Sequence, residues 1–237
     1  MTTASYKISD RLFLNSFDIP KTDAQPNPVD LASNHLLVID CSGSMSGDLP
    51  RIREQLKRKL PKMLKEKDTV SIVWFSGKGQ FGTLIEAEPV ATLADLKAVN
   101  EAIDRWLKPI GLTGFKEPLE EVAALCTRVK AKYPANAFSL FFMSDGAENQ
   151  WSRDEVLKAV DKAAGGLAAS AFVEYGFFAD RPMLTAMAER AGGSLLFSGD
   201  FDKYEANLTA VLARRVVGGK RIEVTLPNTD FVGGIAY

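Results

Sequence analysis

A carboxylate and two hydroxyl groups follow the first clearly apolar segment of the chain. The segment "HLLVID" ends at Asp40, and the next residues, "CSGSM", add Ser42 and Ser44. A second apolar segment, "SLFFMSD", ends at Asp145 in the same way, and the loop "KPIGLTGFKEP" between the two contributes one hydroxyl, Thr113. Five oxygen-bearing side chains could therefore meet at one place.

Side-chain oxygens without an imidazole or a thiolate are the ligands that hard cations prefer. This donor set favours Mg²⁺ first and Mn²⁺ second, and its two carboxylates balance a divalent charge. Zinc is not favoured, because His35 is the only histidine and lies inside an apolar segment. Gly43 is expected to relieve crowding, so that the turn can aim Ser42 and Ser44 at one point. Such weak, neutral ligands would leave the cation able to accept a carboxylate from another molecule.

Five apolar segments must position these side chains, and segments with helical periodicity separate them. This alternation predicts a mostly parallel sheet covered on both faces. In such a sheet, functional groups gather beyond the carboxyl ends of the strands, where the strand order reverses. If the strands that end at Asp40 and Asp145 are neighbours, their carboxylates face each other there. The predicted strands are "HLLVID", "DTVSIVWFS", "NAFSLFFMSD", "SAFVEYGFFAD" and "GSLLFSGD".

Apolar residues at spacings of three and four predict six helices. The first runs from about Leu49 to Lys65, and Pro61 should bend it or cut it short. The last is expected to end at Gly218. The other starts are indicated by Thr92, by "KEPLEEV", by a capping box of Ser152 and Glu155, by Asp180 with Pro182, and by "FDKYEANL".

Residues 31–217 form the predicted α/β domain. Residues 1–30 hold a possible strand, "YKISDRLFLN", followed by an irregular linker, "DIPKTDAQPNP". Residues 218–237 begin with "KRIEVTLP", which alternates like a half-buried strand and is expected to pair with the N-terminal flank. The ending "GGIAY" indicates a fragment of a longer protein.

The composition excludes some classes of partner. The chain has 237 residues and a formal net charge of −1, so no global attraction to nucleic acid or to a membrane is expected. The sequence shows no signal peptide and no membrane-spanning segment, which favours a soluble, cytoplasmic protein. The two cysteines, Cys41 and Cys126, form no pair motif and are expected to be reduced packing residues.

The segments "VIDCSGSMSG", "GLTG" and "FFMSDGAEN" resemble the von Willebrand factor A (VWA) domain family and its metal-ion-dependent adhesion site (MIDAS). The resemblance runs from about Leu36 to Val217. It implies a three-layer, Rossmann-like open sheet, mostly parallel with one antiparallel edge strand and with helices on both faces. All five positions of the site are present, so the resemblance implies an intact MIDAS. In it Ser42 and Ser44 would bind Mg²⁺ directly, Thr113 would be a direct or switchable ligand, and Asp40 and Asp145 would act largely through bound waters.

The same resemblance implies a binding module and not an enzyme. A Glu or Asp of a partner protein would complete the coordination of the metal. Family members outside secretory compartments often resemble partners of AAA+ ATPases, so such an ATPase is the expected kind of partner. The alternative is Mg²⁺-dependent phosphotransfer or hydrolysis with Asp40 as nucleophile. Phosphotransferases of that type need a second acid two residues on, where this chain has Ser42.

Two further motifs have simpler interpretations. "GKGQFG" matches GxGxxG, but a strand-like run and no helix follows it, so it predicts a hairpin with an antiparallel edge strand beside "DTVSIVWFS". The first helix is rich in Lys and Arg, which is typical of a solvated face. Because this helix begins next to the predicted metal site, Arg51 and Arg53 are candidate contacts for an acidic partner. Trp151, just after "DGAENQ", is a third candidate contact.

Overall fold

The computed structural model describes residues 2–9, 12–18, 32–89, 92, 97–199 and 201–213. The chain divides into two compact units, residues 1–30 and residues 31–237. In the first unit, β1 (Thr2–Ser9) and β2 (Leu12–Asp18) pair in an antiparallel ladder. The sequence predicted one strand here, and the structure has two. The strand predicted in residues 218–237 lies outside the described residues.

The described part of the second unit contains one six-stranded sheet. Its strands are β3 (Ser33–Asp40), β4 (Thr69–Phe75), β5 (Phe81–Pro89), β6 (Ala137–Ser144), β7 (Ala169–Tyr175) and β8 (Ser194–Ser198). They lie in the order β5-β4-β3-β6-β7-β8, and every neighbouring pair is parallel except β4 and β5. The predicted α/β fold, including the antiparallel edge strand after "GKGQFG", is confirmed.

The strand predicted at "SAFVEYGFFAD" is shorter than expected. β7 ends at Tyr175, and Gly176 follows with a φ of 70°. Glycine adopts this left-handed conformation at no steric cost, and here it turns the chain out of the sheet. Phe177 and Phe178 therefore lie in a loop, with 78% and 91% of their surfaces exposed.

Seven α-helices lie among the described residues of the second unit, and none of them combines the length and apolar character needed to cross a membrane. The first predicted helix is divided: α1 ends at Arg58, and Pro61 lies in the first turn of the short helix α2. One helix was predicted to begin at Thr92, and the last helix was predicted to end at Gly218. Residues 93–96 and 214–217, which belong to these two predictions, are outside the described ranges. The helices are α1 (Leu49–Arg58), α2 (Leu60–Met63), α3 (Lys97–Trp106), α4 (Lys116–Lys132), α5 (Arg153–Ala164), α6 (Arg181–Ala191) and α7 (Phe201–Ala213).

Two of the predicted helix starts show the expected caps. Ser152 accepts a hydrogen bond from the N–H of Glu155, whose carboxylate in turn accepts from the N–H of Ser152. Asp180 accepts from the N–H of Met183 at the start of α6. Each cap satisfies backbone donors that have no partner within the helix itself.

The core lies on both faces of the central strand. All eight residues of β3 are buried. Leu37 and Ile39 pack in one hydrophobic cluster with residues of α1, α3 and α7, while Leu36 and Val38 pack in a second cluster with α4, α5 and α6. Successive side chains of a strand point to opposite faces, so β3 is fixed from both sides. The position of Asp40 at its end is fixed with it.

The sole histidine cross-links the amino-terminal side of the sheet. Its Nδ1 lies 2.8 Å from the hydroxyl of Ser139 on β6, and its Nε2 lies 3.3 Å from Asp68, which precedes β4. Asp68 also accepts from the N–H groups of Ser33 and Lys65. Serine hydrolases use the opposite arrangement, with serine on Nε2 and the acid on Nδ1. Because His35 is also buried, this network is structural.

We expect Asp68→Ala to lower the free energy of unfolding by about 2–4 kcal/mol, because it leaves buried donors without an acceptor. Asp161→Ala is the matched control: it removes an exposed ion pair with Arg190 and should cost less than about 1 kcal/mol. Urea denaturation of both variants measures the difference. Equal losses in the two variants would contradict a structural role for the network.

Candidate metal site

The site begins with a buried carboxylate. Asp40 ends β3 and is fully buried. Its Oδ1 accepts the N–H of Ser42 at 2.7 Å, and its Oδ2 accepts the hydroxyl of Ser144 at 2.5 Å. Burial raises the pKa of Asp40 to about 7, although these two donors act in the opposite direction. Both oxygens are thus held by neutral donors.

Hydroxyl groups connect this loop to the end of the neighbouring strand. The Oγ of Ser42 lies 3.1 Å from the Oγ of Ser44, which donates to Oδ1 of Asp145 at 2.7 Å. Asp145 directly follows β6, and β6 pairs with β3, so the condition that the two strands are neighbours is met. Burial also raises the pKa of Asp145. Two carboxylates and two hydroxyls are therefore gathered at the carboxyl edge of the sheet.

The loop that carries Thr113 is attached to the turn after β3 by backbone hydrogen bonds. The N–H of Gly43 donates to the carbonyl of Gly111 at 3.0 Å, and the N–H of Ile110 donates to the carbonyl of Cys41 at 2.7 Å. Gly111 has a φ of 57°, which a residue with a side chain rarely adopts. The loop is thus held against the turn that bears the serines.

Thr113 itself is buried against the turn after β6. Its carbonyl accepts the N–H of Asn149 at 3.1 Å, and its own N–H donates to Oδ1 of Asn149 at 3.2 Å. A Cβ at Gly146 would stand 2.7 Å from the Thr113 hydroxyl, whereas one at Gly43 would meet only ordinary contact at 3.4 Å. The expectation that Gly43 relieves crowding is therefore wrong, because the crowded position is Gly146.

Two residues that hold the site together were missed from the sequence. Ser144 binds Asp40 and also accepts the N–H of Gly146 at 3.2 Å. The Glu148 carboxylate accepts N–H groups at the start of α4 and in the loop after β6, from Phe115, Gln150 and Trp151. Ser144 could have been found from its place directly before Asp145. Nothing in the local spacing pointed to Glu148.

The three candidate contact residues, Arg51, Arg53 and Trp151, have different surroundings in the structure. Arg51 lines a cavity together with Asp145 and pairs with Asp202 at 3.6 Å. Arg53 donates to the carbonyl of Leu107 at 3.4 Å, just after α3. Trp151 is half-buried, with the ammonium groups of two lysines 4.3 and 4.0 Å from its ring centre. Of the three, the cavity beside Asp145 includes Arg51.

The donor chemistry fits a hard cation. Within the described part of the chain, no three His, Cys, Asp or Glu side chains lie close enough to hold a metal. The side chains that this edge offers to a metal are hydroxyl oxygens beside the two carboxylates, which is an oxygen-only set. Cys41 is no rival ligand, since its buried thiol contacts the carbonyl of Ile39 at 3.8 Å and burial raises its pKa. A divalent cation would supply the positive charge that the buried Asp40 and the half-buried Asp145 lack.

The chain belongs to the von Willebrand factor type A domain family, whose model matches residues 34–197. A von Willebrand factor A domain-containing protein of Dictyostelium discoideum is 28% identical over 145 residues, which cover 61% of this chain and 15% of that protein. The predicted family is therefore confirmed, and this family is one of modules that usually mediate metal-dependent protein interactions. The chain spans only a small part of this relative.

Solved structures show the same fold. A von Willebrand factor type A structure from Catenulispora acidiphila superposes with a TM-score of 0.65 at 16% identity, covering 77% of this chain and 42% of that one. Manganese-loaded TRAP protein of Plasmodium vivax gives 0.56 at 15% identity, covering 80% and 76%. Proximal thread matrix protein 1 of the mussel byssus, with a zinc-occupied MIDAS motif, gives 0.53 at 17% identity, covering 77% and 45%. Identities this low establish the fold alone.

We expect Gly146→Ala to destabilise the protein by about 1–3 kcal/mol, because the new methyl group would displace the buried Thr113 side chain. Gly43→Ala, in the facing turn, should change the free energy of unfolding by less than about 0.5 kcal/mol. Thermal or urea unfolding compares the two variants. A larger loss at Gly43 than at Gly146 would contradict the packing described for the Thr113 loop.

Proposed function

We propose that Asp40, Ser42, Ser44, Thr113 and Asp145 form an intact MIDAS that binds one divalent cation, Mg²⁺ in the first place and Mn²⁺ as a substitute. The cation would serve to recognise an acidic side chain of a partner protein. When bound, it would supply a positive centre with room for one carboxylate from outside.

The observation that carries this proposal is the chain of contacts from Ser42 through Ser44 to Asp145 beside the buried Asp40. The Oγ atoms of Ser42 and Ser44 lie 3.1 Å apart, and the Oγ of Ser44 lies 2.7 Å from Oδ1 of Asp145, which comes from a distant segment. Among the described residues, the donors to the Asp40 carboxylate are the N–H of Ser42 and the hydroxyl of Ser144, and neither carries a charge. An unpaired buried carboxylate is costly, and a bound cation offsets that cost.

The exposure of the site residues indicates from which side a partner would approach the cation. Ser44 is exposed, while Ser42 and Thr113 are buried, so the set has one open side. On the buried side of the set, Ser144 donates a hydrogen bond of 2.5 Å to Asp40 and so fixes the end of β3. A partner carboxylate would approach from the open side, where Ser44 lies. Hydroxyl ligands carry no charge, so they would leave the cation electrophilic toward that carboxylate.

The solved relatives are compatible with more than one metal. The mussel protein has zinc in its MIDAS motif, and the TRAP protein was loaded with manganese. For this chain, the oxygen-only donor set favours Mg²⁺ or Mn²⁺ over zinc, because zinc prefers nitrogen and sulfur ligands. An AAA+ ATPase partner and a cytoplasmic location remain predictions from the sequence.

The enzyme alternative is less favourable on geometric grounds. A nucleophilic carboxylate must reach the reacting atom of its substrate. Asp40 is fully buried, and its two oxygens already accept hydrogen bonds from Ser42 and Ser144. The position that would need a general acid is occupied by Ser42. Metal-dependent turnover of a generic phosphate ester that Asp40→Asn abolishes would overturn the binding-module proposal.

We expect isothermal titration calorimetry to detect Mg²⁺ and Mn²⁺ binding by the protein, and Ser42→Ala and Asp145→Ala to weaken it at least about ten-fold. Binding requires the ionised form of Asp40, whose pKa is raised to about 7 in the absence of metal. The affinity should therefore rise between pH 6 and pH 8, and binding near pH 7 should release protons.

Ser170→Ala is a matched control for this titration. Ser170 is a buried serine near the amino-terminal end of β7, away from the carboxyl ends of the strands. Among the described residues its hydroxyl has no hydrogen-bond partner. Its removal should leave Mg²⁺ binding unchanged. Equal binding by the wild type, Ser42→Ala and Asp145→Ala proteins would rule out the proposed ligand set.

A further inference from the structure

We propose that the cavity beside Asp145 is a specificity pocket, which receives a bulky apolar side chain next to the acidic residue that the cation binds. The partner is thus a protein segment in which Asp or Glu stands within one or two positions of a large apolar residue. This assignment rests on the proposed function of the cation site. It adds that the partner segment also carries a large apolar residue beside the acidic one.

The pocket has aromatic walls that are exposed to solvent. Phe177 and Phe178 present 78% and 91% of their surfaces to water in the loop after β7. Burying an aromatic side chain is favourable, so a loop that exposes two of them forgoes that stabilisation. Contiguous exposed aromatic surface of this kind marks an interaction site.

The loop that presents the two phenylalanines is anchored at both ends. The N–H of Gly176 donates to the carbonyl of Ser198 on β8 at 2.7 Å. At the other end, the N–H of Asp180 donates to the carbonyl of Gly146 at 3.3 Å, and the Asp180 carboxylate caps α6. The Phe177 ring also packs 5.6 Å from that of Phe197. The aromatic pair is thus held close to the turn that carries Asp145.

The cavity is continuous with the proposed cation site. Its volume is about 270 Å³, and Asp145 contributes both to its wall and to the cation site. Small-molecule pockets usually span about 300–1,000 Å³, so this one suits a single side chain better than a cofactor. Tyr175, which is buried, also lines the cavity. A segment whose carboxylate reaches the cation would place its next side chain here.

The charges around the pocket favour an acidic segment. The carboxylates of Asp48 and Asp145 line the cavity together with the guanidinium of Arg51, whose ion pair with Asp202 at 3.6 Å is exposed on both sides. Exposed ion pairs are weak, so Arg51 can exchange this contact for an acidic group of the partner. A bound divalent cation would balance the two lining carboxylates, so that Arg51 gives the rim of the pocket a positive character that attracts Asp or Glu.

The test is selection of phage-displayed random dodecapeptides on the full chain in Mg²⁺, with elution by EDTA. We expect the eluted clones to share an Asp or Glu beside Phe, Leu, Ile, Met or Trp. A synthetic peptide of the selected sequence should bind in Mg²⁺ and lose about ten-fold or more in affinity for the Phe177→Ser/Phe178→Ser double variant. Since both side chains are exposed, the variant should unfold at the wild-type midpoint and keep its Mg²⁺ affinity.

Phe81→Ser is the matched control. Phe81 is an exposed phenylalanine on the edge strand β5 that does not line the pocket, so its loss should leave peptide binding unchanged. Selected peptides with an acid but no apolar neighbour, or equal binding by the double variant, would overturn the pocket and leave the cation site standing. Failure of EDTA to elute any enriched clone, or selection of the same clones by Ser42→Ala, would overturn the proposed function itself. A concentration-dependent dimer that Phe178→Ser dissolves would assign the pocket to a second copy of the chain.

Discussion

The burial of one carboxylate governs the arrangement of this domain. Asp40 stands at the end of a strand that is buried on both faces, and no part of its side chain reaches water. A carboxylate in such a place is ionised at neutral pH only if donors or a cation stabilise its charge. The amide of Ser42 and the hydroxyl of Ser144 supply part of that stabilisation, and the raised pKa shows that they do not supply all of it. A divalent cation would supply the rest.

The other parts of the site follow from the same constraint. The parallel pairing of β3 and β6 brings Ser44 to Asp145 although they are 101 positions apart in the chain. Backbone hydrogen bonds from Gly43 and Ile110 then hold the Thr113 loop against the turn after β3. Hydroxyl ligands add oxygen atoms without adding negative charge. A cation held in this way would be able to bind a further carboxylate, which is the chemistry that the proposed function requires.

The sequence predicted the elements that depend on local patterns. The alternation of apolar and amphipathic segments predicted the sheet. The glycines of "GKGQFG" predicted the hairpin with β5, and Ser152 with Glu155 predicted one helix start. The position of Asp40 at a strand end also came from the local pattern. Each of these features depends on residues close together in the chain, where periodicity and turn chemistry act.

The features that the sequence did not predict depend on contacts between distant segments. The crowding of Thr113 involves Gly146 and not Gly43, because it arises where two loops meet. Glu148 joins the start of α4 to the loop after β6, a role that no spacing indicates. The apolar run through Phe178 is compatible with a strand as well as with an exposed loop. The left-handed conformation of Gly176 ends the strand and turns the rest of the run into a loop.

The most direct test of the cation site is an anomalous difference map from crystals of the protein soaked in Mn²⁺. The proposed function predicts one strong peak within about 2.2 Å of the hydroxyl oxygens of Ser42 and Ser44, on the side of Asp145. No peak at this position, together with full order of the five side chains, would contradict the claim that they form a divalent cation site.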